Sequence, residues 1–100
     1  MTEDIHQKLT IVLEDWTMMQ KTSGDEGAEW AERFEKHFYE WIEELKAAWH
    51  SLDDRPKTIE DAESLPEIEE LIDRLPGPLQ LNFLTELEEI VEGEESLRYD

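Results

Sequence analysis

The chain has 100 residues, enough to bury one core and too few for two. Its 28 Asp and Glu against 9 Lys and Arg give a formal net charge of −19, which repels nucleic-acid phosphate and anionic lipid and sets both aside as direct partners. Without cysteine there is no disulfide or thiolate metal site, and with no apolar run longer than Ile11 to Leu13 there is no membrane-spanning segment.

Thr2 followed by Glu3 and Asp4 suits a helix start, with acids at the positive end of the dipole. Ile5, Leu9, Val12, Leu13, Trp16 and Met19 then recur at helical spacing and form one apolar stripe. The segment Lys21 to Gly24 interrupts it, and Ser23 with Glu26 reads as a capping box opening a second helix. That helix, over 25–52, is the clearest element. Trp30, Phe34, Trp41, Leu45, Ala48 and Leu52 share a sector flanked by Phe38, Ile42 and Trp49, while Glu32, Glu35, Lys36, Tyr39, Glu40, Glu43 and His50 lie opposite. Arg55-Pro56 closes the segment, because a residue before proline avoids the helical region.

Thr58 with Asp61 suggests another start, yet the apolar phase drifts, so 58–63 reads as a short turn. Ile68, Leu71, Ile72 and Leu75 share a face, and Ser64 with Glu67 forms a second capping box, which predicts a helix over about 65–75. Pro76-Gly77-Pro78 is a rigid connector with Pro78 suited to a first helical turn. Leu79, Phe83, Leu84, Leu87, Ile90 and Val91 define the last helix, for which Gly93 is a natural stop. Residues 94–100 are left as a mobile acidic tail, with Leu97 and Tyr99 able to dock. No β alternation and no internal repeat occurs. The expectation is an all-α fold: a single domain over 1–93, built as a bundle of four main helices around the long Trp-rich one.

Apolar residues make up 38% of the chain, below the usual ~45–50%, and high charge with low hydrophobicity is a mark of disorder. Four Trp, three Phe and two Tyr at helical spacing argue for a packed fold instead. Met1 to His6 lack a basic region and an apolar run, so no signal peptide is visible and a cytoplasmic protein is expected.

The acidity is uneven. No Lys or Arg occurs between Lys57 and Arg74 or between Arg74 and Arg98. Glu60, Asp61, Glu63, Glu67, Glu69, Glu70 and Asp73 form the densest acidic group, and Glu86, Glu88, Glu89 and Glu92 a second. Residues three or four apart on a helix rise ~4.5–6 Å, close to the spacing of phosphates along a nucleic-acid strand. Pairs such as Glu32–Glu35, Glu40–Glu44, Glu63–Glu67, Glu69–Asp73 and Glu88–Glu92 would therefore imitate a phosphate track for a cationic groove. The plain alternative is a solvated, solubilising surface. Salt adaptation fits less well, since Glu outnumbers Asp.

Other chemistry is sparse. Of His6, His37 and His50, only His6 follows a Glu at the Glu-x-x-His spacing of a di-iron bundle, and it sits at a fraying end. His37 and His50 are outward or borderline in phase. No glycine-rich phosphate loop is present, and no carboxylate pair stands out from the abundance. No metal, no cofactor and no enzymatic activity are expected. Ile11 and Met18, seven apart on the back of the first helix, mean either that this helix is central in the bundle and covered on both sides or that its back is an apolar interface, for which Tyr39 on the charged face of the second helix is a further candidate.

The expected function is therefore a small, non-catalytic binding protein that docks a carboxylate-rich face on a basic protein. It would inhibit or regulate a nucleic-acid-binding or nuclease-type partner, in the manner of a DNA mimic. In general plan it is similar to bacterial immunity proteins and phage anti-defence proteins, a likeness of composition that assigns no residue. The alternative is a structural or housekeeping helical protein that forms a homodimer through Ile11, Met18 and Tyr39.

Overall fold

The computed structural model describes the backbone of residues 3–97 and the side chains from Asp4 to Glu92. It is all-helical, with five helices and no strand among the described residues: α1 (Glu3–Lys21), α2 (Gly24–His50), α3 (Ile59–Glu63), α4 (Pro66–Arg74) and α5 (Gly77–Leu97). None of them is long and apolar enough to cross a membrane. The backbone gathers into two compact units, residues 1–48 and 49–100.

The first unit is a helical hairpin of α1 with most of α2. Its turn depends on Gly24, whose φ of 64° lies where a Cβ is strained, and the Ser23 carbonyl accepts a hydrogen bond from Gly27 N at 3.3 Å. The predicted stripes are the buried ones. Ile5, Leu9 and Val12 of α1, and Trp41 and Leu45 of α2, are fully buried. Aromatic rings run from one helix to the other: Trp16 meets Phe34 with centroids 5.6 Å apart, Phe34 meets Phe38 at 5.8 Å, and Phe38 meets Trp41 at 5.8 Å, edge-on. Trp30 and Phe34 are only half-buried, and the Arg33 guanidinium sits 4.8 Å from the Trp30 ring.

In the second unit, α3 packs against both α4 and α5. The segment 58–63, expected as a turn, is a short α-helix over 59–63. Thr58 caps it as its spacing implied, its side chain accepting from Asp61 N at 3.2 Å. The second capping box is corrected. Ser64 serves the end of α3, donating its hydroxyl to the Asp61 carbonyl at 2.8 Å, and the N-cap of α4 is Leu65, without a side-chain cap bond. Pro66 at the first position of α4 explains the change, since the residue before a proline avoids the helical region, which makes extended Leu65 rather than Ser64 the N-cap. Ile68, Leu71, Leu75, Leu79, Phe83 and Leu87 form the buried faces of α4 and α5. The Gln80 amide holds the connector by donating to the Ile72 and Leu75 carbonyls, both at 3.1 Å.

Two helix ends also differ from expectation. α2 stops at His50, and α5 runs through Gly93 to Leu97, so Glu94 to Leu97 continue the helix. Burial of Ile90 and Val91 anchors the preceding turn, and one glycine costs an established helix only ~1 kcal/mol. The rest of the expected tail, 98–100 with Tyr99, lies outside the described residues, as does Thr2.

Candidate functional site

Most of the negative surplus falls in the second unit, where Arg55, Lys57, Arg74 and Arg98 are the only Lys or Arg residues. α4 displays it most openly. Burial of Ile68 and Leu71 fixes the rotation of the helix, which turns Glu67, Glu69, Glu70 and Asp73 to solvent. At ~100° per residue, Glu69, Glu70 and Asp73 lie within about 100° of one another, with Glu67 at the flank. Glu60 and Asp61 are exposed in the first turn of α3, where the helix dipole favours them. Glu63 is half-buried at the other end.

The expected row Glu63–Glu67 is not a helical row. Leu65, with ψ of 133°, is extended and separates the two residues onto α3 and α4. Glu69–Asp73 does share one face.

On α5, Glu88 and Glu89 are exposed, whereas Glu86 and Glu92 are half-buried. Glu92 has an intramolecular task, its carboxylate accepting from Ile59 N at 2.8 Å. It thereby caps the first residue of α3 from 33 positions away in sequence. Glu86 is held above the usual carboxylate range, first by burial and then by the negative charge of Glu89.

The hairpin carries a second acidic surface. Tyr39 is 49% exposed and packs edge-on against Phe38, with centroids 5.5 Å apart. Two open, shallow depressions meet at Tyr39 and Lys36: one lined also by Lys8, Glu40, Glu43 and Glu44, the other by Glu32 and Glu35. Here lysines interleave with the carboxylates, so this face is less uniformly negative than α4.

Of the apolar candidates, Ile11 is 42% exposed and Met18 half-buried. Sequence reasoning missed a more exposed residue, Leu81, at 72%.

It also missed the pairing of Asp15 with His37. Asp15 is 4% exposed and its carboxylate lies 2.5 Å from His37 Nδ1. The reading of His37 as outward or borderline is corrected: it is half-buried and joins α2 to α1. The signal was present, because His37 stands seven after Trp30 and four before Trp41, in phase with the stripe. Among the described residues no group of three or more His, Asp and Glu is arranged to hold a metal ion.

No protein-family model, curated protein or solved structure matches this chain. The assignment of function therefore rests on the surface itself.

Proposed function

We propose that the protein is a non-catalytic binding module that docks the carboxylate face of α4, with the adjoining first turn of α3, on a basic protein. It would act as an inhibitor or regulator of a nucleic-acid-binding or nuclease-type partner. The observation that carries this reading is the exposure of Glu67, Glu69, Glu70 and Asp73 on a helix whose other side is packed. A rigid helix presents these charges at fixed spacing, which is what a cationic groove built for phosphates would engage. Glu63 and Glu92 contribute less, since one is half-buried and the other caps α3.

Reversal of charge tests the proposal. Glu69, Glu70 and Asp73 changed together to Lys should abolish binding to a basic partner recovered from the native host, while the helical circular dichroism persists. Affinity for the parent should fall steeply between low and high salt, because exposed charges are screened over ~8–10 Å at physiological ionic strength. The association rate should change more than the dissociation rate. A partner that binds equally well after reversal and in high salt would refute this reading. The 42% exposure of Ile11 then favours the alternative, self-association through the back of α1. Ile11→Glu would convert a dimer to a monomer in sedimentation.

A further inference from the structure

The longest stretch without a charged residue runs from Leu75 to Thr85, in a chain where charged residues make up 37%. It contains the first half of α5. Leu79 and Phe83 face the core, and outward stand Pro78, Leu81, Asn82 and Thr85, all exposed. Among the described residues Leu81 is the most exposed of the large apolar ones, at 72%. Thr85 donates its hydroxyl to the Leu81 carbonyl at 3.0 Å, which engages its polar atom with the backbone and leaves its methyl for the surface. Nothing in forming α5 calls for Leu at position 81. Leu and Glu have nearly the same helix propensity, and an outward carboxylate is what this chain places elsewhere. About two turns beyond Leu81, and one beyond Thr85, Glu88 and Glu89 follow on the same side, both exposed. From Pro78 to Glu89 the stripe is about 16 Å long at 1.5 Å per residue, or three turns.

We infer that this outward stripe of α5 is a docking face for one kind of occupant: an amphipathic helix of a partner protein, apolar at one end and rich in Lys or Arg at the other. The apolar end lies over Leu81 and Thr85 and the basic end reaches Glu88 and Glu89. The change from neutral to negative along one face selects this occupant by charge complementarity and sets its direction. A purely basic peptide would leave Leu81 in water, and a purely apolar one would leave the carboxylates uncompensated. A second copy of this chain brings another −19 to the contact and is opposed by repulsion. The inference rests on the basic-partner reading and adds to it the face used and the pattern of the partner.

The test uses the full isotope-labelled chain and three synthetic helical peptides of equal length. One segregates Leu and Arg to opposite ends, one scrambles the same residues, and one carries Lys among polar residues only. The segregated peptide should bind most tightly, shift the amides of 79–89, and retain part of its affinity in high salt because apolar contact is not screened. Leu81→Gln, a neutral change at an exposed site, should weaken it about tenfold or more, as loss of a buried leucine contact implies, and leave the polar-lysine peptide unaffected. If the segregated and scrambled peptides bind alike, or the segregated one is indifferent to Leu81→Gln, the docking face is wrong. Shifts from the polar-lysine peptide on α4 would in that case still support the broader reading. If no basic peptide binds even at low salt, both fall together. Sedimentation showing a dimer abolished by Leu81→Gln would overturn the inference in favour of self-association.

Discussion

Replacing His37 with alanine should destabilise the protein more than removing the buried acid it holds. Asp15 is 4% exposed, and its carboxylate lies 2.5 Å from His37 Nδ1. Taking one member from a buried pair costs ~3–5 kcal/mol, because the survivor is left desolvated without compensation. The His37 side chain is 31% exposed, so water reaches the vacated position and screens part of that penalty. Discounting for this gives about 2–3 kcal/mol for His37→Ala. At ~4–8 °C per kcal/mol for a domain of this size, the melting midpoint should drop by about 10–20 °C. Asp15→Leu acts differently: it removes the charge that needed a partner, and His37 remains near water. Its cost should stay below about 1 kcal/mol, and adding His37→Ala to it should cost little more. Calorimetry on the two single variants and the double variant supplies the cycle. Melting of His37→Ala within about 2 °C of the parent, or a greater loss for Asp15→Leu, would refute the reasoning.

Trp41, fully buried against Phe38, should cost about 3–5 kcal/mol as Trp41→Ala, read by denaturant unfolding. Glu92→Ala removes the cap on Ile59 N and should cost about 1–2 kcal/mol, with amide exchange accelerated over 59–63 and not in α1. The carboxyl of Glu86 sits above its ordinary value of 4.5, so the native state keeps that proton to higher pH than the unfolded chain does. The group therefore detracts from stability once pH rises past its folded-state value, and this effect disappears as pH falls below the unfolded value. Glu86→Gln should thus stabilise the protein at pH 7 and be nearly neutral at pH 4, as urea melts at the two values would show.

How much of this was legible depends on the range of the interaction concerned. The stripes of α1 and α2 followed from spacing, because one buried face of a helix leaves a 3.6-residue period in the chain. The start of α3 at Thr58 was legible for a similar reason: a cap acts over three residues. Ser64 serves the end of α3 instead, because Pro66 forces Leu65 into an extended conformation and so starts α4 one residue later than a Ser64 cap would. The extension of α5 past Gly93 shows packing at Ile90 and Val91 prevailing over local preference. The Asp15–His37 pair and the Glu92 cap were beyond local reasoning, since they join residues 22 and 33 apart. The reading of His37 as outward or borderline overlooked its spacing from Trp30 and Trp41, which is in phase with the stripe, and nothing in one sequence says which acid would meet it. The exposure of Glu67, Glu69, Glu70 and Asp73 follows from the burial of Ile68 and Leu71, because a face is defined once its opposite is buried.

The carboxylates of this chain are physically of two kinds. Asp15 and Glu92 hold elements together, and their removal should be felt in the fold. Glu69, Glu70, Asp73, Glu88 and Glu89 are exposed, and their mutual repulsion opposes compaction. Lysine at some of these positions would fit the helices as well, since Lys and Glu have similar helix propensities. A Glu followed four residues later by Lys would add ~0.2–0.5 kcal/mol per pair where two acids now repel. Solubility does not require the uniform sign either, because a mixed surface with a smaller net charge is enough. Folding and solubility thus leave the run of exposed carboxylates ahead of Arg74 on α4 unexplained. The cationic partner proposed above would account for it, and the same charges would supply the steering that brings such a partner in.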